Sequence, residues 1–344
     1  MSVPNDGLVI EPLDPHDVGA FDAFYDVYLA AERALGDIAS PWMREEVRVS
    51  MQEQGASRWL GGFVGRAGGR VAVVGQLSTP LLDNRDSATL AVHVDPDRQR
   101  RGLGSAMLDR LEREARDRGR TLLNAEAVWG WPAGAEGAGE AGPEFARSRG
   151  FRLGLADVKR RLLLPVAAEL LDTLAAEAAR HHAAYTLRSW EGPVPDDLVE
   201  GWARLSGSLV TEAPTGEVER EPEHVDPAVV REAEDLLAKQ GRRKYNTVAL
   251  DRTGDVVAYT DVATTVHEPG RAYQWGTLVR TDARGHRLGL AVKVANLRLL
   301  QAARPDLTEL TTYNAEVNRH MIGVNERLGF TPVAWLGEFQ KRLC

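Results

Sequence analysis

Apolar and polar positions along the chain change period repeatedly, and each change marks an element. The stretch "LVIEPLD" (8–14) begins as a short strand. Over 16–34 the period becomes helical, with Phe21, Phe24, Tyr25, Tyr28 and Leu29 on one side. "WLGGFVGRAGGRVAVVGQLSTPL" reads as strand, glycine turn, strand, and "ATLAVHV" (88–94) as a further strand. From Ser105 the stripe Met107, Leu108, Leu111 and Ala115 predicts a helix. "TLLNAEAVW" (121–129) returns to strand, "EFARSRGF" predicts a short helix stopped by Gly150, and "DVKRRLLL" a closing strand.

The same plan then recurs. "YTLRSW" (185–190) starts a strand, 196–205 is helical, and 246–264 has the pattern of a hairpin turning at Thr253–Gly254–Asp255. "YQWGTLV" (273–279) is a strand, 291–300 a helix, "LTELTTYN" (307–314) a strand, and "VNRHMIGVNERLGF" a helix stopped by Gly329. Gly289 follows Gly102 by 187 residues and Gly329 follows Gly150 by 179, so the two halves differ by one loop's worth of insertion. The expected organisation is a tandem duplication of a mixed α/β (α+β) sheet fold: residues 1–164, a linker helix over 165–184, and residues 185–344. Leu170, Leu171, Leu174 and Ala178 give the linker one apolar face for packing on both copies. "WGWPAGAEGAGEAGPE" (129–144) and "TEAPTGEVEREPEHVDP" (211–227) are expected as solvated insertions; the alternative is that they border an acceptor site, the acidic one favouring a cationic amine.

Composition narrows the class. The chain has 344 residues, and no apolar run approaches the ~18 needed to cross a membrane. Its start has neither a basic segment nor an apolar leader core, and its one cysteine is Cys344, so disulfides and a cysteine metal site are excluded and a reducing cytoplasm fits. The adjacent His181 and His182 point ~100° apart on a helix, and no partner recurs at ligand spacing, so no metal is expected. A formal charge of −8 argues against a nucleic-acid partner. Monomer and homodimer are both compatible with the sequence.

Against that acidic background, "VDPDRQRRGLGSAMLDRLEREARDRG" (94–119) concentrates Arg98, Arg100 and Arg101 beside Gly102 and Gly104 where a helix begins, and "VRTDARGHRLGLAVKVANLRLL" (279–300) repeats the layout. The first amides of a helix have no internal partner and lie at the positive end of its dipole, so they attract anions. Glycines there let a bulky diphosphate approach the backbone, and arginines add charge at the rim. "GLGSAM" lacks the third glycine of a dinucleotide fingerprint, and no G-K-[ST] is present.

These stretches resemble the acetyl-CoA loop of the GCN5-related N-acetyltransferases (the GNAT family), whose motif is [Q/R]-x-x-G-x-[G/A]. "QRRGLG" (99–104) matches its three fixed positions, and "HRLGLA" (286–291) the last two with His286 in the Gln/Arg slot. The resemblance covers nearly the whole chain, and the tandem form is similar to two-domain acetyltransferases. It implies acetyl-CoA as donor and a small-molecule amine as acceptor. It also implies that Val92, His93 and Val94, and Leu278 and Val279, offer strand backbone to the acetyl carbonyl and pantetheine. Gln99, Arg100, Arg101, Gly102, Leu103, Gly104 and Ser105, with His286, Arg287, Leu288, Gly289, Leu290 and Ala291, would form the two pyrophosphate loops.

The tyrosine that commonly acts as acid in the family is replaced by Ala146 and Asn325. The second copy instead offers amides: Asn314 and Asn325 as candidate catalytic contacts to the thioester, and Asn318 to pantetheine, with helix capping as the plainer reading. Glu126 is the candidate base in the first copy, with Tyr273 and Glu316 weaker candidates in the second. That amide set tips the sequence reading toward the second copy as the transferring one. The alternatives are an acyl-CoA-binding regulatory protein, or the same fold with another donor or a decarboxylation.

Overall fold

The computed structural model describes residues 7–343 except 213, 224 and 225; Cys344 lies outside the described residues. In chain order the first copy comprises β1 (Val9–Pro12), α1 (Val18–Arg33), α2 (Arg44–Gln52), β2 (Arg58–Ala67), β3 (Arg70–Pro80), β4 (Ser87–Val94), α3 (Leu103–Asp117), β5 (Leu122–Gly130), α4 (Ala141–Ser148) and β6 (Arg152–Leu163). After α5 (Ala168–Ala179) come β7 (Thr186–Glu191), α6 (Val199–Gly207), α7 (Leu209–Glu212), α8 (Pro227–Lys239), β8 (Arg242–Leu250), β9 (Val256–Thr265), β10 (Arg271–Val279), α9 (Leu288–Ala303), β11 (Glu309–Ala315), α10 (Arg319–Leu328) and β12 (Thr331–Arg342). Neither α2 nor α8 was expected from the pattern.

The chain folds as two compact units. One comprises 1–156, 216–218 and 334–344, and the other 157–215 and 219–333. The last strand of each copy therefore lies mainly in the other copy's unit. In the first unit the strands run β1-β2-β3-β4-β5-β12, with β12 antiparallel to β5 from Ala334↔Gly130 to Arg342↔Leu122. In the second they run β6-β11-β10-β9-β8-β7, with β6 antiparallel to β11 from Asp157↔Ala315 to Leu163↔Glu309.

Local chemistry sets the element ends. Asp17 caps α1 by accepting from the Ala20 amide. The α1 stripe buries Phe21, Phe24, Tyr25 and Tyr28 against Val64 and Val74 of the first sheet. Gly150 (φ 84°) closes α4 and Gly329 (φ 97°) closes α10, each in the left-handed conformation that ends a helix without a Cβ clash. In the second unit α5 places Leu171, Leu174 and Ala178 against Leu290, Val294 and Leu297 of α9, so the linker helix is part of that unit's core.

The first glycine-rich stretch is anchored rather than solvated. Trp129 is buried, its indole N–H donates to the Gly134 carbonyl (2.7 Å), and Trp131 stacks on Trp335 with centroids 4.5 Å apart. Part of the acidic stretch is also tied down: the Glu217 amide donates to the Gly154 carbonyl (2.8 Å), and Val218 is buried.

Candidate functional site

In the first unit β4 and β5 are parallel and paired only over Ser87–Leu90 and Leu122–Ala125. Beyond that point β4 stays bonded to β3, up to Val94↔Val73, and β5 stays bonded to β12, up to Gly130↔Ala334. A wedge therefore opens between Ala91–Val94 and Glu126–Gly130, along which β4 and β5 are not paired with each other. A cavity of ≈ 110 Å³ lies in it, lined by Ala91, Val92, Glu126 and Ala127 from the strands, Leu108 from α3, and Ala146 from α4. Phe145, Phe151 and Phe339 complete walls that are apolar apart from Glu126, which suits an extended chain of methylenes and amides.

The start of α3 stands next to the end of β4. A turn over Pro96–Arg98 follows, Arg100 (φ 61°) and Gly102 (φ 80°) are left-handed, and α3 begins at Leu103 with Gly102 as an N-cap that has no side chain to close it. Nothing lies within 4 Å of where a Cβ on Gly102 would point, whereas one on Gly104 would touch Val94 (3.4 Å) and Phe145 (3.5 Å). Gly102 thus leaves the approach to the amides of Leu103, Gly104 and Ser105 open, and Gly104 lets the helix sit close to the strand. The arginines divide their work. Arg98 donates to the Ala67 carbonyl (3.0 Å) and lies 3.7 Å from Asp95, so it braces the turn. Gln99, Arg100 and Arg101 are exposed at the rim.

The two faces of the free β4 segment differ. Val92 pairs with Gly75, whose face lies under Met107 and Leu111 of α3. His93 pairs with Val74, which packs into the α1 core, so the imidazole lies on the α1 side. There its Nε2 donates to Glu32 Oε1 (3.2 Å) and its ring meets the edge of Tyr28 at 4.9 Å. The Tyr28 hydroxyl accepts from the Trp42 amide (2.8 Å), and burial pushes its ionisation well above the usual phenol range.

In the second unit the strands part in the same way: β10 and β11 pair over Arg271–Gln274 and Glu309–Thr312 and then separate. Leu278 is buried in that unit's core and Val279 ends β10. The gap, however, holds polar side chains. Lys293 of α9 donates to Asn325 Oδ1 (2.8 Å), and the Asn325 amide nitrogen donates to Asn314 Oδ1. Lys293 and Asn325 are 2% and 0% exposed, and burial lowers the Lys293 ammonium to about 7. Counted from the helix starts, the sheet registers and the closing glycines, these residues stand where the first copy has Leu108, Ala127 and Ala146.

The second loop corrects the sequence register. Val279 corresponds to Val94, Gly285 (φ 87°) to Arg100 and Arg287 (φ 54°) to Gly102, an offset of 185 residues. Arg284, not His286, therefore stands opposite Gln99, and Gly289 stands opposite Gly104. The glycine of the motif is replaced by Arg287 in a left-handed conformation, so the motif slid by two residues to find its glycines. The rim here is occupied by the chain itself. Arg287 and Arg327 both pair with Glu177 of α5, His286 Nδ1 donates to the His181 carbonyl (3.1 Å), and the Tyr185 ring lies 5.3 Å from the His286 ring. Leu288, Leu290 and Ala291 are buried.

The remaining candidates take ordinary roles. Asn318 is the N-cap of α10, accepting from the Met321 amide (3.2 Å). Tyr273 donates to Glu268, and burial raises its ionisation beyond use as an acid near neutrality. Glu316 is exposed beyond the end of β11. The sequence missed the Lys293 chain and the Glu32–His93 contact. The first could have been read by setting Leu108 against Lys293; nothing local signals the second.

Residues 21–128 match the model of the acetyltransferase (GNAT) family. Among solved structures, a tandem GNAT protein from the clavulanic acid biosynthesis pathway is similar over 98% of this chain and 98% of its own, with 28% identity and a TM-score of 0.81. A GCN5-related N-acetyltransferase from Sphaerobacter thermophilus shares the fold over 97% and 95% of the two chains (17% identity, TM-score 0.63), as does an acetyltransferase-like protein from Pyrococcus horikoshii over 98% and 90% (12%, 0.55). No curated protein sequence matches the chain.

Proposed function

We propose that the chain is a tandem GNAT acetyltransferase that moves an acetyl group from acetyl-CoA to a small-molecule amine, and that the first copy, where residues 21–128 match the family model, performs the transfer. One observation carries the choice of copy. The first copy's wedge is a cavity walled by Leu108, Ala127 and Ala146, while the matching positions of the second are a hydrogen-bonded chain of Lys293, Asn325 and Asn314. This reverses the lean of the sequence toward the second copy. Asn325 is already bonded to both Lys293 and Asn314, and the loop is paired with Glu177.

Acetyl-CoA supplies an acyl group activated as a thioester. The first copy's residues fit it: the open face at Gly102 and the bare amides of Leu103–Ser105 suit a pyrophosphate, and the free edge of Ala91–Val94 suits pantetheine and the acyl oxygen. Glu126 in the wedge would hold or receive a proton near the reacting carbon. No tyrosine stands at Ala146, which is tolerable because a thiol of pKa ~8.5 leaves readily as thiolate. Acidic Glu32 and aromatic Tyr28 and Trp42 on the α1 side favour a cationic acceptor.

Calorimetric titration with acetyl-CoA and thiol release with a panel of primary amines test the reading. One equivalent should bind per chain. Gly102→Glu should abolish that binding, and Arg287→Ala should leave it intact. Two equivalents in the wild type, or binding that survives in Gly102→Glu, would reject the assignment to the first copy. Binding without thiol release from any amine would make the protein a carrier rather than a transferase.

A further inference from the structure

Resting on transfer in the first copy, we propose that His93 is the catalytic residue that takes the proton from the acceptor amine, with Glu32 as its positioning residue. His93 lies on β4 three residues past the last pairing with β5, two residues beyond Ala91, which lines the wedge, and on the same face. At ~3.3 Å rise per residue it stands ~7 Å further along the strand. That face is opposite to α3, so a base there meets an amine entering from the α1 side while the amides of α3 hold the donor from the other.

The hydrogen bonding is that of an imidazole waiting for a donor. With Nε2 donating to the Glu32 carboxylate, the uncharged ring carries its lone pair on Nδ1. Nδ1 has no hydrogen-bond partner among the described residues and is closed to solvent, so an amine reaches it only where the ring or its neighbours shift aside. A buried acceptor left unmade is costly and calls for a partner, and an amine N–H supplies one. The charged and titratable groups around the ring come from α1 (Glu32 and Tyr28), with Glu46 of α2 acting on Tyr28; Trp42 anchors Tyr28 from the intervening loop.

The step balances without another reagent. The ammonium gives one proton to Nδ1, and its freed electron pair forms the N–C bond at the acetyl carbon. The C–S bond breaks with its pair on sulfur, the second proton leaves the nitrogen for that thiolate as the neutral amide forms, and the proton on His93 passes to water. The Glu32 carboxylate stabilises the imidazolium in the interval.

The probes are acetyl-CoA with the amine of the panel that releases thiol fastest, and acetyl-CoA with hydroxylamine, which is largely unprotonated at pH 7.5 and needs no base to free its electron pair. His93→Gln should lower kcat with the amine by ~100-fold or more and Glu32→Gln by ~10-fold, with calorimetric acetyl-CoA affinity unchanged in both. With hydroxylamine both variants should stay within ~3-fold of wild type. Equal losses with amine and hydroxylamine, or wild-type turnover in His93→Gln, would overturn the proposal and leave the assignment of the first copy standing. No thiol release by the wild type with either nucleophile would overturn the transferase reading and this one with it.

Discussion

At the scale of single residues, the two copies differ most where three side chains replace three others. Leu108, Ala127 and Ala146 leave space; Lys293, Asn314 and Asn325 fill it with donors and acceptors that satisfy one another. A lysine buried this deeply prefers to be neutral, and its hydrogen bond to the Asn325 oxygen only partly offsets that. The consequence has a definite sign. Between about 7 and the ~10.4 of an unfolded lysine, the unfolded chain binds the extra proton, so stability rises with pH across that window. Urea melts at pH 7 and pH 10 should show the wild type gaining on the order of 3 kcal/mol relative to Lys293→Met. A difference between the two proteins that stays constant with pH would mean the ammonium remains charged where it is buried. These identities were plain in the sequence, but their meaning was not. Asn314 and Asn325 read as contacts to a thioester until the fold shows them bonded to each other and to Lys293.

At the scale of elements, most strands and helices were legible because each carries its own period. The stripe Phe21, Phe24, Tyr25, Tyr28 becomes α1, and Met107, Leu108, Leu111, Ala115 becomes α3. What failed was whatever depends on partners distant in sequence or on unusual backbone. The second loop was misregistered because Arg287 adopts a left-handed φ that a motif assigns to glycine. α2 went unseen because its residues are mostly polar and its apolar Val47, Val49 and Met51 alternate with the period of a strand. His93 was expected to offer backbone to a cofactor; the role of its ring depends on Glu32, 61 residues away. Capping residues act within one turn and should behave as sequence rules say. Asn318→Ala removes the bond to the Met321 amide and should cost ~1 kcal/mol in a chemical melt. A much larger cost, or lost acetyl-CoA binding, would show that Asn318 does more than start α10.

At the scale of the whole molecule, the doubling was legible but the exchange of closing strands was not. A strand's alternation reveals which face is buried and says nothing about its neighbour. β12 delivers Phe339 (1% exposed) to the wall of the first copy's cavity, Trp335 to the stack with Trp131, and Lys341 to an ion pair with Glu112 (2.6 Å). Burying the two aromatic side chains alone is worth ~2–3 kcal/mol each. A fragment ending at 164 lacks all of this and leaves β5 as an open apolar edge. It should be unfolded or aggregated by circular dichroism and light scattering, and residues 331–344 joined to it through a flexible linker should restore a cooperative melt. A folded monomeric fragment would show that β6 can fold back onto β5 in place of β12.

Neither half can therefore be discarded once its terminal strand is lodged in the other's sheet. A duplicate that no longer binds a donor would ordinarily drift toward deletion. On the proposed assignment of transfer to the first copy, its loss would strip a wall from that cleft, so selection on catalysis in one copy would preserve the architecture of both while the residues inside the second cleft are free to change.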